Sequence, residues 1–202
     1  MGNINQNTRY TLLQRLQNPN NEKSWEEFVT YYRPYIFVII KRFNVGIQDS
    51  EELLQDVLVK IWKNISIFDP AKFECRFRTW LSVMIRNTVF NFFKSKSSKN
   101  SQNNVNYDDI IGKLELISDA EINEIAEKEW RNYIAKMAWQ NLKANFNEVT
   151  RKIFEESMLS DIENSKLAEK YDVSESSVRV FKMRVRKAMH KEIIRLNNEL
   201  ET

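Results

Sequence analysis

Side chains suited to nucleophilic or acid–base chemistry are scarce in this sequence. Its 202 residues include one cysteine, Cys75, and one histidine, His190. The charge of neighbouring Arg76 could stabilise a Cys75 thiolate, but an incidental loop thiol is the simpler interpretation. A single thiol excludes an internal disulfide and a multi-thiolate zinc site. A helical enzyme is therefore the weakest hypothesis, and we expect no catalytic residue, no metal and no cofactor.

Charged side chains are distributed unevenly along the chain. Seven Lys/Arg and one Glu lie in 72–99, and the same numbers lie in 179–195, whereas 106–129 holds eight Asp/Glu and two Lys. Two basic segments therefore flank an acidic one, although the formal net charge is only +3. Basic segments favour nucleic acid as a partner, and solvated helix faces are the alternative.

The elements that position these charges are predicted to be helices. Only 3 Gly and 3 Pro occur, and apolar residues recur every three or four positions. We expect an all-α protein with a flexible, partly acidic linker over 95–118 between two small helical domains, 1–94 and 119–202. Helices are expected near 24–44, 50–65, 77–94, 119–144, 147–158, 165–171 and 175–197, with a loop over 66–76. Pro34 is expected either to kink its helix or to start a second one, and Asp49 and Glu52 form a start signal like a capping box. The expected apolar stripe of the helix at 50–65 is Leu53, Leu54, Val57, Leu58, Ile61, Trp62 and Ile65.

The longest uninterrupted apolar run, near Ile36, is far too short to span a bilayer, and the N-terminus lacks an apolar signal core. We expect a cytoplasmic protein without membrane insertion.

The residues from Leu167 onward match the helix-turn-helix pattern. Ala168 is the small residue that lets two helices approach, and Val178 and Phe181 anchor the second helix. Asp172 occupies the turn position that favours a left-handed backbone, and Ser174 is a suitable N-cap.

The second helix of this motif carries a basic stripe that can face DNA. We expect six of its residues to contact DNA, because arginine binds guanine edges and lysine or arginine binds phosphates. They are Glu175, Ser176, Ser177, Arg179, Lys182 and Arg186. A solvated basic face on an ordinary helical hairpin is the alternative.

Seven aromatic residues lie between Phe68 and Phe93, interleaved with arginines. Aromatic rings stack on unpaired bases and cations attract the backbone, so single-stranded or melting DNA is a plausible ligand. Most of these rings could instead be core, and we expect this of Phe77 and Trp80. Phe90 is the better candidate for exposure, because it shares a stripe with Asn87, Asn91 and Lys94.

Two groups of motifs carry a family resemblance. The segment 49–57 (DSEELLQDV), Ile61-Trp62, 77–81 (FRTWL) and 85–87 (IRN) resemble region 2 of bacterial sigma factors, and the helix-turn-helix resembles their region 4. The chain is similar to the extracytoplasmic-function branch, group 4, of the sigma-70 family over about 24–94 and 130–195. The domains are then region 2 (1–94), linker (95–118) and region 4 (119–202).

The resemblance implies two partners, core RNA polymerase and promoter DNA. It implies that an acidic face docks on the clamp helices of the polymerase β′ subunit, through Asp49, Glu52, Gln55 and Asp56. It assigns the minus-ten element to Arg76, Arg78, Arg86, Asn87, Phe90, Asn91 and Lys94. It gives region 4 the minus-thirty-five element and contact with the β flap. Masking by an anti-sigma factor is common in this branch, and no residue of this chain demonstrates it.

The function that follows is a sigma factor that binds core polymerase and directs transcription initiation at specific promoters. The alternative is a stand-alone helix-turn-helix regulator, which would leave the acidic helix and the aromatic-rich segment without a role.

Overall fold

A computed structural model describes residues 11–18, 21–69, 75–99 and 108–200, and these ranges are helical with no strand. The all-α prediction is confirmed. The helices are α1 (Leu12–Leu16), α2 (Glu22–Arg42), α3 (Ile47–Asn64), α4 (Phe77–Lys99), α5 (Asp108–Leu116), α6 (Asp119–Leu142), α7 (Glu148–Leu159), α8 (Asn164–Lys170) and α9 (Glu175–Leu200). Short 3₁₀ turns occupy Ile65–Ile67 and Lys143–Asn145. Parts of the expected loop (70–74) and of the expected linker (100–107) lie outside the described residues.

The chain divides into two compact units, and the second comprises Asn132–Glu199. The division falls after Arg131, inside α6, and so differs from the expected boundary at 95–118. Helix α4 continues to Lys99, and α5 occupies 108–116 of the expected linker. The reason is apolar burial, because Ile122, Ala126 and Trp130 of α6 are buried and belong to the first unit.

Helices α2, α3 and α4 supply most of the core of the first unit. Asn21 is the N-cap of helix α2, and its side-chain oxygen accepts a hydrogen bond from Ser24 N over 3.1 Å. Pro34 lies within α2, which is assigned as one helix to Arg42 rather than ending at the proline. The buried rings of Phe28 and Tyr32 stack with centroids 4.5 Å apart.

Helix α3 begins earlier than the sequence indicates. Gly46 is its N-cap, and Asp49 lies in the first turn, so the predicted Asp49–Glu52 capping box is wrong. Asp49 instead forms an ion pair with Lys96 of α4 over 2.7 Å. The predicted apolar stripe is buried except at Trp62, which is 44% exposed. The buried members are Leu53, Leu54, Val57, Leu58, Ile61 and Ile65.

The second unit contains the predicted helix-turn-helix. Ile153 of α7, Leu167 and Ala168 of α8 and Val178 of α9 form a buried cluster, against which Phe181 packs. In the connecting turn, Asp172 has a φ of 50°, as the motif requires. The Ser174 hydroxyl accepts a hydrogen bond from Ser177 N over 3.1 Å and caps α9. These local predictions are confirmed.

Candidate functional site

An acidic face of α3 points into solvent. It consists of Glu52, Gln55 and Asp56, which lie three and four residues apart and are all exposed. Within the described ranges none of these three side chains makes a hydrogen bond or ion pair. Asp49 differs, because Lys96 Nζ lies 2.7 Å from its Oδ1. The structure therefore leaves three of the four predicted docking residues available to a partner.

An apolar groove borders the acidic face. It has a volume of about 670 Å³ and is lined by Trp25, Val29, Arg33, Gln55, Leu58, Val59 and Trp62. The rings of Trp25 and Trp62 meet edge to face with centroids 4.9 Å apart. Sequence reasoning placed Trp62 in the core stripe and missed this groove. One feature of the sequence could have indicated that Trp62 is exposed. Trp62 directly follows the buried Ile61 and so lies about 100° around the helix from it.

Helix α4 carries most of the residues predicted to bind the minus-ten element. Asn87, Asn91 and Lys94 are exposed and Phe90 is partly exposed, as predicted. Lys94 Nζ lies 5.9 Å from the centroid of the Phe90 ring. Arg76, just before the helix, is also exposed. These side chains offer one ring, two amides and two cations to a ligand.

Arg78 is not on that surface. It is only 7% exposed, and its guanidinium lies 5.1 Å from the Trp130 ring centroid. Its Nε donates to Glu127 Oε1 over 2.9 Å and its Nη2 to Oε2 over 3.2 Å. The sequence assigned Arg78 to DNA, whereas the structure places it against the acidic segment, because a buried guanidinium requires a carboxylate partner.

Arg86 is also engaged by the acidic segment. Its Nη1 lies 2.6 Å from Asp119 Oδ1 and donates to the backbone oxygen of Ile117 over 3.1 Å. On the same side of α4, Thr79 Oγ1 and Asn123 Oδ1 are 2.7 Å apart. The opposite charges of 72–99 and 106–129 were visible in the sequence, but their pairing was not.

A cavity of about 620 Å³ lies beside α4 in the first unit. Lys60 Nζ donates to Thr88 Oγ1 over 2.9 Å at its wall. The lining combines an indole, amides, hydroxyls and apolar side chains with two charged groups, the Lys60 ammonium and the Asp119 carboxylate. Its other members include Asn64, Cys75, Thr79, Trp80, Met84 and Asn87. An aromatic wall with polar groups beside it can hold a flat, polar ring.

Helix α9 presents the third group of predicted residues. Glu175, Ser176, Arg179 and Arg186 are exposed. Arg179 Nη2 lies 3.0 Å from Glu175 Oε2, an exposed pair that costs little to separate. A basic groove of about 520 Å³ is lined by Asn164, Arg179, Lys182, Met183, Arg186, Lys187 and His190.

Ser177 and Lys182, the two predicted α9 residues that are only partly exposed, also make contacts within the unit. Ser177 N donates to the capping Ser174 hydroxyl, and Lys182 Nζ donates to Asn164 Oδ1 over 3.0 Å. Sequence reasoning did not select Val180 or Met183, although both are exposed on the same helix.

Helix α8 is fixed to α7 by Glu156. Its Oε1 accepts hydrogen bonds from Lys170 Nζ and from the Tyr171 hydroxyl. These contacts lower the pKa of Glu156, and the hydrogen bond to Glu156 raises the pKa of Tyr171 to about 12. Both shifts favour the paired state, in which Glu156 is ionised and the Tyr171 hydroxyl keeps its proton.

Two negative findings apply to the described residues alone. They contain no group of three or more His, Cys, Asp and Glu arranged to hold a metal ion. None of the helices they form has the length and apolar character needed to cross a bilayer.

Residues 28–99 match the family described as Sigma-70 region 2. No curated protein matches the chain. A solved structure of CnrH in complex with the cytosolic domain of CnrY is similar at 15% sequence identity and a TM-score of 0.35, covering 89% of this chain and 93% of that chain. The family match over residues 28–99 confirms the predicted resemblance to region 2, and the resemblance of the C-terminal half to region 4 stays a prediction.

Proposed function

We propose that this chain is an RNA polymerase sigma factor of the extracytoplasmic-function branch, because residues 28–99 match Sigma-70 region 2. It binds core polymerase in the cytoplasm and directs initiation at specific promoters, and the polymerase performs the chemistry. The observation that carries this function is the acidic face, exposed within the matched region. A sigma factor needs such a docking surface, whereas a stand-alone regulator does not.

The acidic face docks on the clamp helices of the polymerase β′ subunit. Glu52 and Asp56 supply negative charge and Gln55 supplies an amide, which complement a basic partner helix. The neighbouring groove provides apolar area beside these charges, with Trp62 at its edge. Docking therefore combines charge, which steers association, with apolar burial, which stabilises the complex.

The minus-ten element binds along α4. Phe90 supplies a stacking surface for an unpaired base, while Arg76 and Lys94 attract the backbone. Asn87 lines the cavity beside α4, which has the lining expected for a base taken out of the stack. Arg78 holds α6 in place and is left out of this assignment, and Arg86 contributes only after separating from Asp119.

The minus-thirty-five element binds α9, the second helix of the helix-turn-helix. Glu175, Ser176 and Arg179 lie in its first turns, the part that reaches base edges in this motif. Arg186 holds a phosphate, and Lys182 contributes to phosphate binding only after separating from Asn164. The polymerase β flap and an anti-sigma factor are the further partners proposed for this branch.

The experiment that tests this function is co-purification with core polymerase, followed by transcription in vitro from a promoter library. The doubly substituted variant Glu52→Arg/Asp56→Arg should lose polymerase binding, because it reverses two charges of the docking face. Glu26→Arg/Glu124→Arg is the matched control, since it reverses the same number of charges at two exposed carboxylates, on α2 and α6, that belong to neither the acidic face nor the groove.

Duplex binding without polymerase, together with no initiation, would establish the stand-alone regulator instead. Unchanged polymerase affinity of the double variant would refute the docking assignment alone.

A further inference from the structure

The outward side of α9 carries apolar side chains among its cations. Met183 is 60% exposed and Val180 is 36% exposed, three residues apart on one helix face. Met183 also lines the basic groove, together with Arg179 and Arg186. Exposed apolar residues among the cations of one surface point to a ligand that has apolar groups beside its charges.

Helix geometry places these two residues where α9 faces away from its core. Val178 and Val185 are buried on the inward side. At about 100° per residue, Met183 lies about 140° and Val180 about 200° around the helix from Val178. Lys182 lies only about 40° from Val178, which agrees with its hydrogen bond to Asn164. Val180 and Met183 therefore lie on the outward face together with the exposed cation Lys187, which is about 180° from Val178. Arg179 and Arg186 of the predicted basic stripe lie to one side, at about 100° and 80°.

The major groove offers one apolar group at base edges, the C5 methyl of thymine. Arginine side chains next to an apolar patch would bind guanine edges or phosphates beside it. The unbranched, flexible side chain of methionine can reach a methyl group at different distances from the helix. The shorter, stiffer side chain of valine makes a contact closer to the backbone.

We propose that Val180 and Met183 form an apolar patch that contacts thymine methyl groups in the duplex bound by α9. This inference rests on the proposed function, since it names what part of that DNA the helix reads. The upstream promoter element must then contain A·T pairs whose thymine lies on the contacted strand.

The test uses the full chain bound to core polymerase and a DNA pool randomised over one helical turn at the upstream element. Each thymine of the selected duplex is then replaced by deoxyuridine, which removes the methyl group and leaves every hydrogen-bonding group in place. We expect one or two positions at which this replacement weakens binding about two- to fourfold at fixed salt, the effect of losing one buried methyl contact.

Met183→Ala and Val180→Ala identify the side chain responsible. Each should bind the thymine and deoxyuridine duplexes equally at the position it contacts. Both residues are exposed and alanine favours helix, so we expect both variants to fold. Ile194→Ala is the matched control, because Ile194 is 47% exposed further along the same helix and should leave the deoxyuridine effect unchanged.

The possible failures are distinguishable. The methyl contact is overturned if the unaltered chain binds thymine and deoxyuridine duplexes equally at all positions, or if the selected element contains no thymine. Either result leaves the proposed sigma function intact. An alanine variant that weakens all duplexes while the deoxyuridine effect persists also overturns it and indicates a polymerase contact. If no duplex is selected at all, the proposed function fails.

Discussion

Arg78 and Glu127 form a two-point ion pair that joins α4 to the first half of α6. The guanidinium of Arg78 presents Nε and Nη2 to the two carboxylate oxygens, over 2.9 and 3.2 Å, and it also lies over the Trp130 ring. Paired donors of this kind fix both distance and orientation. Together with the burial of Ile122 and Ala126, the pair explains why the first half of α6 belongs to the first unit.

Glu127→Gln should destabilise the protein by about 1–3 kcal/mol, because it leaves the buried Arg78 charge without its carboxylate. Urea unfolding followed by tryptophan fluorescence measures this free energy of unfolding. Glu124→Gln removes the same charge from an exposed position of α6 and should change it by less than about 0.5 kcal/mol. Equal effects of the two substitutions would contradict the structural role of the pair.

Asp119→Asn should strengthen binding of single-stranded minus-ten DNA by the free chain. The substitution removes the carboxylate 2.6 Å from Arg86 Nη1, so the guanidinium no longer has to leave an ion pair before it meets a phosphate. Asp119 is largely exposed, so separating the pair costs no more than about 1 kcal/mol, and the expected gain is at most about fivefold.

Fluorescence anisotropy of a labelled oligonucleotide at two salt concentrations measures this gain. Glu124→Gln again serves as the control, since it changes the net charge equally without touching Arg86. A gain of the same size in both variants would mean that net charge, rather than release of Arg86, is responsible.

Asp172→Gly and Asp172→Val should differ in their effects on stability. With a φ of 50°, the backbone at this turn suits glycine and strains a β-branched side chain. We expect the valine variant to lose about 1–2 kcal/mol and the glycine variant to be at least as stable as the original. Thermal denaturation followed by circular dichroism distinguishes them, and similar losses in both variants would contradict the turn geometry.

Glu192 should give the second unit part of its acid sensitivity. The hydrogen bond from Arg195, with a further one from Asn141, lowers the pKa of Glu192 to about 2. A carboxyl whose pKa is lower in the folded state stabilises the fold above its ordinary pKa of 4.5, and this contribution is lost as the pH falls toward 2.

Glu192→Gln should therefore cost about 1 kcal/mol at neutral pH, and the difference from the unaltered chain should shrink between pH 4.5 and 2. Urea titrations across this range measure the difference. The control is Glu169→Gln, an exposed carboxylate on α8 without an ion pair among the described residues. A cost for Glu192→Gln that does not depend on pH would refute the linkage.

Much of the local structure followed from the sequence, because it depends on neighbouring residues. The spacing of apolar residues located the long helices to within a few positions, since one buried face of a helix repeats every three to four residues. The helix-turn-helix was specified in the same way by Ala168, Asp172, Ser174 and Val178. The exposed stripe around Phe90 on α4 was also identifiable, because polar residues mark the face opposite the core.

Other features depended on contacts between residues far apart in the chain. Their charge, the neighbouring aromatic residues and the family resemblance placed Arg78 and Arg86 among the DNA-binding residues. In the structure, Arg78 is paired with Glu127, 49 positions later, and Arg86 with Asp119, 33 positions later. The division of the chain inside α6 also depends on distant contacts. The acidic segment carries apolar residues that are buried by residues far away in the sequence, and the sequence pattern does not show that burial.

The sequence by itself determined the helices, their turns and the resemblance to region 2, since these are encoded in short-range spacing. Only the tertiary structure decided which charged and apolar side chains of each helix remain exposed. Exposure depends on what packs against a helix, and for Trp62, Arg78 and Met183 the sequence pattern does not contain that information.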